Sequence, residues 1–303
     1  MHSGDFNIID AHCDTLDYLL EGRSLCDNDL HFSTSAAKQY KKYVQVMAYC
    51  ICGERIGHPF QNALKGIKAL LDYPIIRTLD DLLLEGNQVQ FFIGIEGGEA
   101  LEGSLDNLRI FFKEGVRVLT LTWNRANAIS DSAAEPLTPG GLTAFGRALI
   151  PEMEWLGIAV DVSHISEKGF WDVLQVAQKP IIASHSCSKE LCSHHRNLTD
   201  EQFVALCKNG GVVGVNFYPL FLGGNSIEDI ANHIFHFLSL GGEDHIGFGS
   251  DFDGIPDLPL GISGVSDVYK IIDFLLQKNL PENIVRKIAY TNMQNYFIKI
   301  LPR

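Results

Sequence analysis

Eight short runs of β-branched, aliphatic and aromatic residues punctuate the chain. They lie at 7–12 (NIIDAH), 43–50 (YVQVMAYC), 89–95 (VQFFIGI), 116–122 (VRVLTLT), 158–163 (IAVDVS), 180–184 (PIIAS), 211–217 (GVVGVNF) and 245–249 (HIGFG). Between them, apolar residues recur at helical spacing, as at Leu105, Leu108, Phe111 and Phe112. Thr199-Asp200-Glu201-Gln202 has the form of a capping box, with Thr199 as N-cap and Gln202 at the third helical position. Strands that alternate with helices predict a parallel sheet, because parallel neighbours need a long crossover. Eight such units predict a TIM-type (β/α)8 barrel, an α/β fold spanning residues 1–303 as one domain. The competing arrangement is an open doubly wound sheet. It would carry a Gly-rich loop after the first strand, where this chain has His12-Cys13-Asp14.

Composition narrows the partners. The 303 residues are 46% hydrophobic, ample for a large core, and 37 acidic against 24 basic residues give a net charge of −13. Such a surface repels phosphate backbones and anionic headgroups, so neither nucleic acid nor a membrane is expected as a partner. No apolar stretch approaches the roughly 18–20 residues of a spanning helix. The first strand begins within a few residues of the start, so no secretory leader is expected and the location implied is cytoplasmic. Seven scattered cysteines without paired CxxC spacing fit free thiols in a reducing compartment.

Candidate chemistry falls on the strand ends. His12 and Asp14 close the first strand, Glu96 the third, His164 the fifth and His185 the sixth, while Asp251 and Asp253 follow the eighth. In a parallel barrel all strand C-termini share one face, where barrel active sites are built. Taken singly, each residue has a plainer role: a hydrogen-bonded core histidine, a helix-capping aspartate, a solvated loop glutamate. Convergence of five strand ends disfavours that reading. His12 and Asp14 share a face of an extended segment and can chelate one ion, His164 and His185 a second, with Glu96 as bridge. Imidazoles and carboxylates suit zinc. Such a pair would hold its ions about 3.5–4 Å apart around a bridging hydroxide.

The segments Asp10-Ala11-His12-Cys13-Asp14-Thr15, Ile95-Glu96-Gly97-Gly98, Leu119-Thr120-Leu121-Thr122, Ser163-His164-Ile165-Ser166, Ser184-His185-Ser186 and Gly249-Ser250-Asp251-Phe252-Asp253-Gly254 resemble, in order and spacing, the membrane dipeptidase (renal dipeptidase) family of zinc peptidases. The resemblance covers residues 8 to 255 and is specific, since this series is not shared by barrels at large. It implies a barrel of the metal-dependent hydrolase kind with two Zn2+ per chain on His12, Asp14, Glu96, His164 and His185. It implies that Asp251 moves the protons of peptide hydrolysis, and that Arg196 grips the free carboxylate of a dipeptide through its bidentate fork. Read alone, Arg196 would pass for a surface salt-bridge residue. The family often accepts a D-residue at the C-terminal side, and a homodimer is a family expectation.

Two departures stand out. Many members place a substrate-contacting histidine after the Leu-Thr-Leu-Thr run, where this chain has Trp123, which donates one hydrogen bond and cannot become cationic. His195, beside Arg196, is a candidate to compensate. Animal members are secreted and lipid-anchored, whereas no leader or anchoring tail is read here, so a soluble microbial-type member is expected. The competing functions are a two-metal hydrolase of a lactone, amide or phosphoester, and a metal-binding barrel without catalysis. Trp123 alone favours the last.

Overall fold

The computed structural model describes residues 5–86, 88–138 and 140–303. Eight strands run parallel: β1 (Asn7–Cys13), β2 (Lys42–Cys50), β3 (Val89–Glu96), β4 (Val116–Thr120), β5 (Ala159–Asp161), β6 (Ile182–Ala183), β7 (Val212–Val215) and β8 (Ile246–Phe248). Each pairs with the next, and β8 returns to β1 through Asp10↔Phe248, closing the barrel in sequence order. All eight predicted strands are present. β4 (expected over 116–122) and the later four are shorter than their apolar runs, and at β5 and β6 side chains such as Asp161 take over the backbone's partners.

The shell helices follow local chemistry. Leu105–Glu114, Ala144–Leu156, Glu167–Val176, Asp200–Asn209 and Ile227–Ser239 each begin on a Ser or Thr whose side chain accepts a first-turn N–H. Thr199 and Gln202 form the full capping box the sequence predicts.

Alternation along the strands separates two apolar regions. Ile8, Phe91, Ile93, Leu119 and Val213 pack outward under the helices. Ile9, Val44, Val46, Phe92, Val118, Ala159 and Val212 fill the lower interior together with Tyr296 and Phe297 of the last helix, Asn292–Ile300. Phe297 stacks on Phe92 with ring centres 4.1 Å apart. Above this floor the interior turns polar: Glu96 pairs in register with Thr120, and Thr120 with Asp161. A register irregularity between Asp10 and Cys13 shifts the phase of β1. Cys13 then packs outside the barrel against Met47. His12 and Asp14 meet the polar layer, within reach of Glu96 and Asp251. None of the helices among the described residues is long and apolar enough to cross a membrane.

Candidate metal centre

All five expected ligands meet at the carboxyl end of the barrel, each at most 8% exposed. Glu96 Oε1 lies 3.0 Å from His164 Nε2, 3.3 Å from His185 Nε2 and 3.7 Å from His12 Nε2. His12 Nε2 is 3.4 Å from Asp14 Oδ2. Glu96 therefore stands between the imidazoles of both halves of the cluster. Gly97 and Gly98, which follow it, are fixed by space and backbone. Gly97 has φ 103°, and a Cβ on Gly98 would collide with Ile129 and the Leu121 carbonyl. At the other strand ends the backbone is left-handed without glycine: φ is 67° at His164, 63° at Asp251 and 65° at Asp253. Such conformations are uncommon for non-glycine residues and cluster at functional sites.

Outer partners set the tautomers. Ser184 Oγ donates to Asp161 Oδ2 (2.6 Å), so toward His185 Nδ1 (2.8 Å) it can only accept. That places the proton on Nδ1 and leaves the Nε2 lone pair facing Glu96. His164 Nδ1 lies 3.0 Å from Asn124 Oδ1, which accepts in the same way. The two Nε2 atoms thus oppose each other's lone pairs at 2.9 Å, beside a carboxylate oxygen. Buried Asp14 Oδ1, Glu96 Oε1 and His12 Nε2 have no hydrogen-bond partner among the described residues. Lone pairs converging on one another and on carboxylates fit divalent cations, and the donor set is one that zinc accepts.

The electrostatics agree. Burial pushes His12 down, but Asp14 and Glu96 outweigh it and raise the imidazole to about 10. Glu96 is held well below the usual carboxylate range: the cost of its burial is overcome chiefly by the His12 charge. Burial pushes Asp14 up, with Glu96 adding to it. His164 is lowered to about 3, by burial and by the neighbouring Arg196 charge. In the protein alone the compensating positive charge rests on His12, and a metal ion entering there would displace that proton.

Three groups of side chains lie close enough to share an ion: Glu96, His164 and His185; His12, Asp14 and Asp251; and His12, Asp161 and His185. The third is weakened by its own hydrogen bonds. Asp161 accepts from the backbone N–H of Ser163 and Ser184 and from the hydroxyls of Thr120 and Ser184, which occupies its carboxylate. It orients ligands instead. Asp10 has a similar place under β1, accepting from the N–H groups of His12 and Ser250. Asp253 faces away from the cluster, held by the Thr15 hydroxyl and the His31 N–H. Asp251 is the aspartate left beside the ligands, its Oδ2 anchored by Asn216 Nδ2 at 2.9 Å.

A cavity of about 590 Å³ opens over the cluster. Trp123 lines it, its ring centre 6.4 Å from that of His164, and so does His195. Arg196 also lines it, yet is 5% exposed rather than a surface residue. Its Nη2 reaches the His185 carbonyl at 3.4 Å, its guanidinium sits 5.4 Å from the Phe221 ring centre, and its Nε has no partner among the described residues. Sequence reasoning missed Asp161, Asn216 and Asp17, the last of which lines the same cavity. For Asp161 the signal was present, as an acid inside an otherwise apolar predicted strand.

A closed parallel barrel with imidazoles and carboxylates gathered at its carboxyl end is the architecture of metal-dependent hydrolases. A sequence profile of the membrane dipeptidase family, peptidase family M19, matches residues 3–300, and the chain belongs to that family. An uncharacterized dipeptidase of Schizosaccharomyces pombe is 38% identical over 224 residues, covering 70% of this chain and 54% of the yeast protein. The chain thus spans about half the length of that relative. The crystal structure of dipeptidase AC, a metallopeptidase of family M19, is similar with a TM-score of 0.88 and 26% identity, over 98% of this chain and 99% of that one. A metallopeptidase from Rhodobacter sphaeroides, liganded with a phosphinate mimic of the dipeptide L-Ala-D-Ala, gives 0.86 and 25% over the same shares.

Proposed function

We propose that this protein is a zinc-dependent dipeptidase that accepts dipeptides with a C-terminal D-residue. The observation that carries the reading is the buried convergence of three imidazoles on Glu96, with the Arg196 guanidinium, its Nε unpartnered among the described residues, lining the same cavity. His12 and Asp14 would hold one ion, His164 and His185 the other, and Glu96 would bridge them. When bound, two such ions lower the pKa of a shared water and polarise a carbonyl oxygen. Asp251, with Oδ2 fixed by Asn216, is positioned to take a proton at Oδ1 and return it to the departing amine. A cation as buried as Arg196 calls for an anion, and a substrate carboxylate in the cavity supplies one with bidentate geometry. Trp123 forms an apolar wall and offers a single N–H. The Rhodobacter relative's L-Ala-D-Ala mimic supports the D-residue. We further infer one domain, a cytoplasmic location and a homodimer.

Two experiments test this. Zinc-loaded protein should carry two metal equivalents, and Glu96→Gln should lose metal and activity together. A reproducible value at or below one equivalent contradicts the bridged pair. Arg196→Ala should weaken hydrolysis of free dipeptides by about 2–5 kcal/mol, the usual cost of removing one partner of a buried charge pair. Amidating the dipeptide's C-terminus should damage the parent similarly and add little in the variant. Equal cleavage of free and amidated peptides by the parent would favour a lactone, amide or phosphoester hydrolase instead.

A further inference from the structure

The cavity is electrically lopsided along one diameter. Arg196 follows β6, while Cys50 ends β2 and Cys52 follows it, four strands away and so opposite in a ring of eight. Beside these cysteines lies Asp17, whose Oδ1 accepts the Cys50 N–H at 3.3 Å. Arg55 Nη1 donates to Asp17 Oδ2 at 2.5 Å and to the Cys50 carbonyl at 2.9 Å. Arg55 is in turn held over the Tyr49 ring, 4.8 Å from its centre. Asp17 lines the cavity and Arg55 does not, so the guanidinium braces the carboxylate from behind. Among the cavity carboxylates, Asp14 and Glu96 belong to the metal cluster, and Asp251 and Asp253 lie on the β8 side. That leaves Asp17 as the acid of the wall facing Arg196.

A dipeptide carries opposite charges at its two ends. With its carboxylate at Arg196, its N-terminal residue extends across the cluster toward the β1–β2 wall. We propose that Asp17 is the specificity residue that receives positive charge on the substrate's N-terminal residue. The inference rests on the dipeptidase reading and deepens it. The cation is an ammonium with two sources, the α-amino group or the side chain of a basic residue.

The zinc-loaded enzyme and the variants Asp17→Asn and Arg55→Met would be compared by kcat/KM on four peptides: Lys-Ala, Ala-Ala, propionyl-alanine and ε-acetyl-Lys-Ala. If the side chain is read, Asp17→Asn should cut the preference for Lys-Ala over ε-acetyl-Lys-Ala about tenfold, chiefly through KM. If the α-amino group is read, it should cut the preference for Ala-Ala over propionyl-alanine by a similar factor. Arg55→Met removes a competing cation and should raise whichever preference Asp17→Asn lowers. A purely structural Asp17 would scale all four peptides alike in both variants. That result, or movement of the ratios in the same direction in both, overturns the proposal. Because Arg55→Met keeps the carboxylate, the test survives if Asp17→Asn fails to fold. Failure to cleave any peptide would sink the dipeptidase reading itself, whereas cleavage with fixed ratios would sink only the role of Asp17.

Discussion

The two halves of the barrel are built differently. Strands β1 to β4 have 7, 9, 8 and 5 residues, and the β2–β3 ladder runs without a shift from Tyr43↔Val89 to Cys50↔Glu96. Strands β5 to β8 have only 3, 2, 4 and 3. There, side chains take over the backbone's partners. Asp161 accepts four donors, Asn209 Oδ1 takes the Ile181 N–H, and Glu154 Oε1 takes those of Gln178 and Lys179. A backbone freed early from its ladder can turn left-handed, as at His164 and Asp251, and aim a side chain at the cluster. The first half secures shape through its ladder, while the second secures aim through buried polar atoms.

The largest expected effect tests aim without shape. Asp251→Asn keeps a residue that tolerates left-handed backbone, and its amide oxygen can still accept from Asn216. Steady-state kinetics should show a loss of about 10²–10⁴-fold, the range for a missing general acid–base, with metal content and melting temperature nearly unchanged. If metal loss explains the whole defect, Asp251 is a ligand, as its place beside His12 and Asp14 would permit.

Asp161→Ala should couple the two properties. It strands two backbone N–H groups and two hydroxyls and frees His185 to change tautomer. About 3–5 kcal/mol of stability should go, as for a broken buried charge network, with a 10–100-fold loss of metal affinity. Phe91→Ala in β3, which meets Phe32 and Tyr73 edge-on, should cost a similar 3–5 kcal/mol through the cavity it leaves. Its folded fraction should bind metal normally. Urea denaturation alongside metal titration separates the two. Equal loss of affinity in both variants would erase the contrast between the halves.

The smallest effect is a control. Thr78 and Thr199 each close a capping box, one in either half. Replacing either by Ala should cost about 1 kcal/mol and leave the site untouched. Thermal unfolding that separates them by more than that amount would mean the halves differ in general robustness, not in the job of their polar atoms.

Much of this was legible before any coordinates. Periodicity gave the number and order of strands, because parallel strands buried on both faces are continuous apolar runs. Strand-end placement gave His12, Asp14, Glu96, His164 and His185. Strand ends were less legible: the runs at 158–163 and 180–184 read as longer strands, because β-propensity does not register where a side chain replaces a ladder partner. Asp161 stood out as an acid in an apolar run, but its role did not, since its hydrogen bonds come from residues on three segments. The burial of Arg196 depends on the loop after β6 folding back over the mouth, which no local pattern encodes. Asp17 needed the third dimension altogether, as its partner Arg55 is 38 residues away.

The seam that closes the barrel has a consequence for how the protein is made. Asp10 accepts the Ser250 N–H, and Asp251 N–H donates to the His12 carbonyl, contacts that join the two ends of the barrel's own chain 240 and 239 residues apart. His12 and Asp14 are made before the other seven strands, and β8, whose end braces them, is the last strand of the eight. At about 5–20 residues per second, some 10–50 s separate them. Through that interval the Asp10 carboxylate and the His12 carbonyl lack the donors that fix them. The first strand end is thus fixed only once β8 has been made, and a chain cut short before Ser250 lacks the brace under His12.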